Sequence, residues 1–210
     1  MIIKSRNLGT VGSAGAHWIV SHQYLTGGLN GGNSALRIFF SLTNGEGANA
    51  HGAISAASST TVTFKDGSGN SDDAHLNNSS GAYIMYSWAD VPGYSRFGSY
   101  EGNGNANGPY IDCGFRPALV IAKRIDSTDN WVMKDSKRNS YNSVFSNLNP
   151  NTNNAEFGSI DDVNSFDFYS NGFKVKGSNS SVNAYGDSFI FMAWAEQPEV
   201  TPFGSLSNAR

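Results

Sequence analysis

"SFIFMAWAE" at residues 188–196 and "AYIMYSWAD" at residues 82–90 decide how this chain folds. Each holds a short apolar run rich in aromatics, bounded by turn-forming residues. A run so brief and so aromatic suits a buried or half-buried β-strand. Each run then closes on Trp, Ala and an acid. The likeness continues past the strand, in "SWADVPGYSRFG" (87–98) against "AWAEQPEVTPFG" (193–204). Trp88 answers Trp194, Pro92 answers Pro198 and Phe97 answers Phe203, each pair 106 residues apart.

Further matches lie outward from this pair, in the same order. "IIKSR" (2–6) answers "VIAKR" (120–124), "HWIVSH" (17–22) answers "NWVMKD" (130–135), and "VTFKDG" (62–67) lies opposite "FDFYSNG" (166–172). Loop lengths differ while the order holds, which reads as an internal duplication. Its period is too long for a solenoid repeat of roughly 20 to 50 residues. "FDFYSNGFKVKG" reads as a hairpin: Phe166, Phe168, Phe173 and Val175 share a face, and Asn171-Gly172 is expected to form a type I′ turn. "VTFKDGSG" repeats the design with Asp66-Gly67 at its turn. No stretch shows helical spacing over three turns. The expected fold is all-β, about a dozen strands in a single two-sheet β-sandwich domain spanning 1–210. Its repeat halves are 1–98 and 118–204, joined by a Gly/Asn connector at 99–117; two separable small domains are the alternative.

The balance of 14 basic against 17 acidic residues gives a net charge of −3, and no Lys/Arg run provides a nucleic-acid-binding surface. Charged residues make up 15% of the chain, so its polarity rests on Asn, Ser, Thr and Gly, which suit loops and turns. Cys113 is the single cysteine, so neither an intrachain disulfide nor a cysteine-based metal site is expected. "MIIKSRNLGTVG" does not read as a signal peptide, and no apolar run reaches the roughly 20 residues of a membrane span. A soluble chain without membrane insertion is expected.

The repeated Trp residues can be read as sugar-stacking rings beside Asp90 and Glu196. The plainer reading is a brace, with Trp18, Trp88, Trp131 and Trp194 in the core and Pro92 and Pro198 stopping strands. "EGNGNANG" (101–108) is a near miss to a dinucleotide fingerprint, but a strand-like "YIDCGF" follows where a helix is needed, so it reads as a flexible loop. Asp66, Asn70 and Asp72 in "DGSGNSDD" alternate as the start of a calcium loop does. The loop lacks the sixth-position Gly and the twelfth-position Glu, where Asn77 stands. These three are the candidate metal ligands, and no other cofactor is expected. His17, His22, His51 and His75 have no zinc spacing. The acids Asp112, Asp126, Asp129, Asp135, Glu156, Asp161 and Asp162 lie in polar loops without the paired placement glycoside hydrolysis uses, and there is no nucleophile elbow. No catalytic residue is assigned. Ligand contacts are expected from the Asn-rich loops: Asn103, Asn105 and Asn107 with Tyr110, and Asn149 and Asn151.

The phrases "YSRFGSYEGNGNANGPYIDCGFRPALVIAKRIDSTDNWVMKDSKRNSYN", "NLNPNTNNAE", "FDFYSNGFKVKG" and "FIFMAWAEQP", with the closing "FGSLSNAR", resemble a concanavalin A-like β-sandwich module of tailed-bacteriophage tail-fibre and virion proteins, common in marine phages. The resemblance is strongest from Tyr94 to Glu196. It implies a non-enzymatic virion protein, assembled in the bacterial host cytoplasm, and supplies no site residues of its own. An outward-facing adhesion or receptor-binding module that meets host surface glycan is the leading expectation. A capsid or tail decoration protein and a glycan-degrading enzyme are the alternatives. The chain opens directly on the first matched strand, with no stalk. Docking on other virion proteins, or homo-oligomerisation, is therefore expected.

Overall fold

"SFIFMAW" forms a strand because it is apolar at successive positions, which suits a strand buried on both faces. The computed structural model describes residues 1–7, 17–30, 36–47, 54–64, 80–159 and 164–197. Thirteen strands and one short helix lie among them, so the described residues are nearly all β. It falls into two compact units, Met1–Trp88 and Ala89–Arg210.

The first unit contains β1 (Ile2–Ser5), β2 (Trp18–Val20), β3 (Ile38–Phe39), β4 (Ile54–Ala57), β5 (Val62–Phe64) and β6 (Tyr83–Tyr86). An antiparallel sheet runs in the order β3-β2-β1-β6, and β4 and β5 form a separate hairpin. Ile3, Ile19 and Ile54 are its buried centre, with Phe39, Val62 and Phe64 packed around them.

The second unit contains β7 (Ser95–Glu101), β8 (Asn107–Asp112), β9 (Leu119–Arg124), β10 (Val132–Asp135), β11 (Ser165–Tyr169), β12 (Gly172–Lys176), α1 (Ser180–Asn183) and β13 (Ser188–Trp194). Its two antiparallel sheets are ordered β10-β9-β13-β7 and β11-β12-β8. Both supply one apolar cluster, a sandwich-like arrangement: Val120, Ala122, Val132, Phe189, Phe191 and Ala193 from the first, Ile111, Phe166, Phe168, Phe173 and Val175 from the second. Aromatic rings pack within and between the layers: Tyr100 stacks on Phe189 of the same sheet at 4.9 Å, and Phe173 meets Phe191 of the other sheet edge-on at 5.4 Å. The Tyr100 hydroxyl donates to the Val182 carbonyl at 2.9 Å, which satisfies the polar tip of a buried ring.

The two large sheets repeat one pattern of pairing. β1 lies between β2 and β6 as β9 lies between β10 and β13. Ile2 faces both Val20 and Tyr86; Ile121 faces both Met133 and Met192. Val20 pairs with Ile38 as Met133 pairs with Leu148, and the Arg37–Gly47 bridge has its counterpart in Asn147–Phe157. These registers align Lys4 with Lys123, one residue away from the match of "IIKSR" with "VIAKR".

Several local expectations need correcting. Phe166, Phe168, Phe173 and Val175 do share a buried face, but no non-glycine residue among those described has positive φ, and Gly172 does not either. The hairpin therefore turns at Ser170-Asn171 without the type I′ conformation. Gly172 is needed for closeness instead, since a Cβ there would lie 2.1 Å from the Ile111 carbonyl oxygen. The stretch 99–117 carries the end of β7 and all of β8. Trp131 is fully buried and Trp194 half-buried, as a brace should be, yet Trp18 and Trp88 are 37% and 41% exposed. In the second unit Phe97 of β7 meets Trp194 edge-on at 5.5 Å.

A buried charge at Lys123 opposes this core. Lys123 is fully buried opposite Ile190, and its ammonium reaches the Arg124 carbonyl at 2.5 Å. Burial pulls its pKa down to about 8, against a partial pull upward from Asp129. The unfolded chain would hold this proton up to about pH 10.5. Folded-state stability therefore rises with pH between those values. Lys123→Met is expected to be more stable than the native chain at pH 7, by on the order of 1–3 kcal/mol, and the advantage should fade by pH 10.5. Urea denaturation at both pH values checks this.

Candidate functional site

A three-stranded sheet with one face in the core must offer its alternate side chains outward. On β11-β12-β8 these form a grid. One row is Asp112, Gly172 and Tyr169, the next is Tyr110, Lys174 and Asp167, and Asn107, Lys176 and Ser165 follow beyond a bulge. Tyr110 and Tyr169 are 45% and 41% exposed, and their rings meet edge-on at 6.0 Å. They come from the two outer strands and meet because Gly172 stands between them. A Cβ there would also lie 2.9 Å from the Tyr110 hydroxyl.

Polar groups frame the ring pair. Asp167 accepts a hydrogen bond from the Ser143 hydroxyl at 2.7 Å and lies 3.6 Å from the Lys176 ammonium. Asp112 accepts the Gly114 N–H at 2.9 Å. Burial against the sheet first, and then the Asp112 charge, hold the Tyr110 phenol above its ordinary range, so it remains a donor at neutral pH. Asn142 flanks the edge of β11, accepting the Phe168 N–H at 2.8 Å and donating to its carbonyl at 3.0 Å. The face thus offers ring surface, a cation and hydrogen-bonding groups within a few residues of each other.

The Asn-rich loops are organised differently. Asn183 is fully buried at the end of α1, whose cap is Asn179. Its amide donates to Asn103 Oδ1 (3.1 Å) and to the carbonyls of Asn105 (2.8 Å) and Gly177 (2.7 Å), while its oxygen accepts the Asn103 N–H (2.8 Å). Asn103 and Asn105 then accept the N–H groups of Asn105 and Asn107, two successive Asx turns. The glycines of "EGNGNANG" serve the same closeness: a Cβ at Gly102 would lie 2.1 Å from the Ala184 carbonyl, and one at Gly108 2.6 Å from that of Val175. This is a fastened loop, where the sequence suggested a flexible one. Asn151 accepts the Trp131 N–H and donates to Asn130, and Asn149 is buried, accepting from Asn147. Of the six candidate ligand-binding residues, Tyr110 and Asn107 lie on the outward grid. Asn103, Asn105, Asn149 and Asn151 direct side-chain groups into the protein's own backbone and amides. Tyr169, Asp167 and Lys174 went unnoticed from sequence; the alternation of the hairpin was the signal that could have placed them beside Tyr110.

The acids are similarly engaged. Asp90 accepts the Phe97 N–H at 2.7 Å and pairs with Arg96, fastening the turn within the repeated phrase, and Glu196 pairs with Lys137. Asp126 accepts the Ser188 N–H, and Asp129 lies near Arg124. Burial raises the Asp135 carboxyl, but bonds from Arg138 and Lys137 outweigh it and hold the pKa below the ordinary carboxylate value. Asp66, Asn70 and Asp72 lie outside the described residues, as do Asp161 and Asp162. Among the described residues no cluster of three His, Cys, Asp or Glu could hold a metal. Burial pushes the Cys113 thiol up to about 12, away from reactive chemistry.

A second aromatic surface stands in the first unit. The Trp18 ring lies 6.4 Å from Tyr86 with 22° between planes, and Tyr86 lies 6.2 Å from Trp88 with 18°. Ile84 and Met85 of the same strand are 39% and 40% exposed.

Asn183→Ala is expected to cost about 2–4 kcal/mol, because it removes one amide that satisfies several buried groups. Urea denaturation measures that loss. Amide hydrogen exchange should show protection falling first at 103–107, and an unchanged exchange pattern there would contradict the fastening role.

No curated protein and no solved structure matches this chain. Residues 1–198 match the family described as "Domain of unknown function (DUF7483)", and the chain belongs to that family.

Proposed function

We propose that this chain is a non-enzymatic adhesion module of the bacteriophage tail-fibre type, and that it meets host surface glycan through the outward face of β11-β12-β8. The resemblance to virion modules supports the setting. The observation that carries the ligand class is the exposed Tyr110–Tyr169 pair over Gly172, framed by Asp112, Asp167, Lys174 and Asn107. Ring faces match the apolar C–H patches of a sugar ring, while carboxylates, amide and ammonium match its hydroxyls. Hydrolysis is less well supported, because the described acids act as turn fasteners and ion-pair partners.

The finer fold reading is a concanavalin A-like, jelly-roll sandwich built from two duplicated halves. Shared strand order and register around β1 and β9 support the duplication. A decoration protein is the second reading, and the exposed Trp18–Tyr86–Trp88 strip favours it, since such apolar surface suits contact with another protein.

A glycan array probed with the full chain and with the double variant Tyr110→Ala/Tyr169→Ala tests the adhesion reading. Binding by the native chain, weakened about tenfold or more in the variant, is expected, equivalent to about 1.4 kcal/mol or more. Antibody labelling of intact particles separates the readings: signal at fibre ends fits adhesion, and regular signal over the capsid fits decoration.

A further inference from the structure

The cations of the second unit sort into three kinds. Arg96, Arg124, Lys137, Arg138 and Lys176 each lie beside a carboxylate, that of Asp90, Asp187, Glu196, Asp135 and Asp167 in turn. Lys123 and Lys134 are fully buried and donate to the carbonyls of Arg124 and Phe145. Lys174 and Arg116 remain among the described residues, and neither pairs with a carboxylate.

Both belong to the outward face of β11-β12-β8. Lys174 is half-buried on the central strand, paired with Tyr110 on one side and Asp167 on the other. Its ammonium makes no hydrogen bond among the described residues. Arg116 is exposed, and its Nη1 donates at 2.8 Å to the Phe168 carbonyl, which also accepts from Asn142 at 3.0 Å. That carbonyl lies on the outer edge of β11, between Asp167 and Tyr169. One donor anchors the guanidinium there, and the rest of its five-donor fork has no acceptor among the described residues.

The carboxylates of the face are already answered. Asp167 accepts from Ser143 and lies 3.6 Å from Lys176, and Asp112 accepts the Gly114 N–H. Lys174, Lys176 and Arg116 stand against Asp112 and Asp167, so the face carries a surplus of positive charge on a chain of net charge −3. A neutral sugar seated on the rings would take water from the half-buried Lys174 without supplying a counter-charge. We propose that the glycan bound by this face is acidic, its carboxylate or sulfate taken by Lys174 and Arg116 while its ring lies on Tyr110 and Tyr169. This deepens, and rests on, the reading of the face as a glycan site. The planar fork of Arg116 matches paired anionic oxygens, and the flexible ammonium of Lys174 can follow them.

The test is an array of matched pairs: a uronate polymer with its methyl ester, and a sulfated polymer with its unsulfated parent. The full chain is expected to bind the acidic member of at least one pair about three- to tenfold more tightly, with the advantage shrinking as salt is raised. The two pairs tell which anion is taken. Lys174→Gln should bring the two affinities close together, and Lys174→Arg should keep them apart. Arg116→Gln reports the same loss, should Lys174→Gln fold poorly. Lys137→Gln lowers the net charge equally at a distant ion pair and should leave the preference as it was. Equal binding of both members in every pair would overturn the proposal and leave the glycan reading standing, whereas no binding to any member would overturn both. A preference lost equally in Lys137→Gln, or polyglutamate bound as tightly as the acidic glycan, would also overturn it.

Discussion

β13 is the strand on which the second unit depends. It pairs along both edges, with β7 over seven residues and with β9 over six, so its backbone donors and acceptors are committed within the sheet. Its faces are equally committed. Phe189, Phe191 and Ala193 enter the cluster shared with β11-β12-β8, while Ile190 and Met192 are buried on the other side. Each fully buried ring contributes about 1.5–3 kcal/mol of burial, and truncating one would cost about 3–5 kcal/mol. The outward grid inherits its rigidity from this arrangement, because Phe173 and Phe168, which hold the inner face of the small sheet, pack in the same cluster.

What the sequence conveyed and what it concealed follow from one physical difference. Apolar alternation and turn chemistry act locally, so the hairpin at 165–176 and the apolar face of Phe166, Phe168, Phe173 and Val175 were legible. Close approach is not local. Nothing beside Gly172 tells of the Ile111 carbonyl that excludes a Cβ, so Asn-Gly read as a turn when the glycine answered a neighbouring strand. Register was hidden for a related reason. "IIK" and "IAK" offer apolar residues to both faces, and a strand without a polar face can slide by one residue without breaking any pattern.

The amide residues carry the same lesson for the site. A run of Asn suggests groups held out for a ligand, but an amide is equally suited to close turns, and the backbone lies nearer. Asn183 shows how far this goes: sixth in sequence after Gly177 yet bonded to residues 103 and 105, it joins two loops that sequence spacing keeps apart. Tyr110 was named with its Asn-rich loop, but its partner Tyr169 was harder to find, since one Tyr per strand has no pattern until strands are paired.

The boundary between the units falls after Trp88, ten residues before the repeated phrase ends at Gly98. The passage from Ala89 to Gly98 thus belongs by its wording to the first copy of the phrase and by its contacts to the second unit. A gene cut at the edge of the repeat would strip Ser95, Arg96, Phe97 and Gly98 from the sheet they complete and leave Trp194 without the ring that meets it. The second unit begins at the turn before β7, so the written repeat is a poor guide to where the protein can be divided.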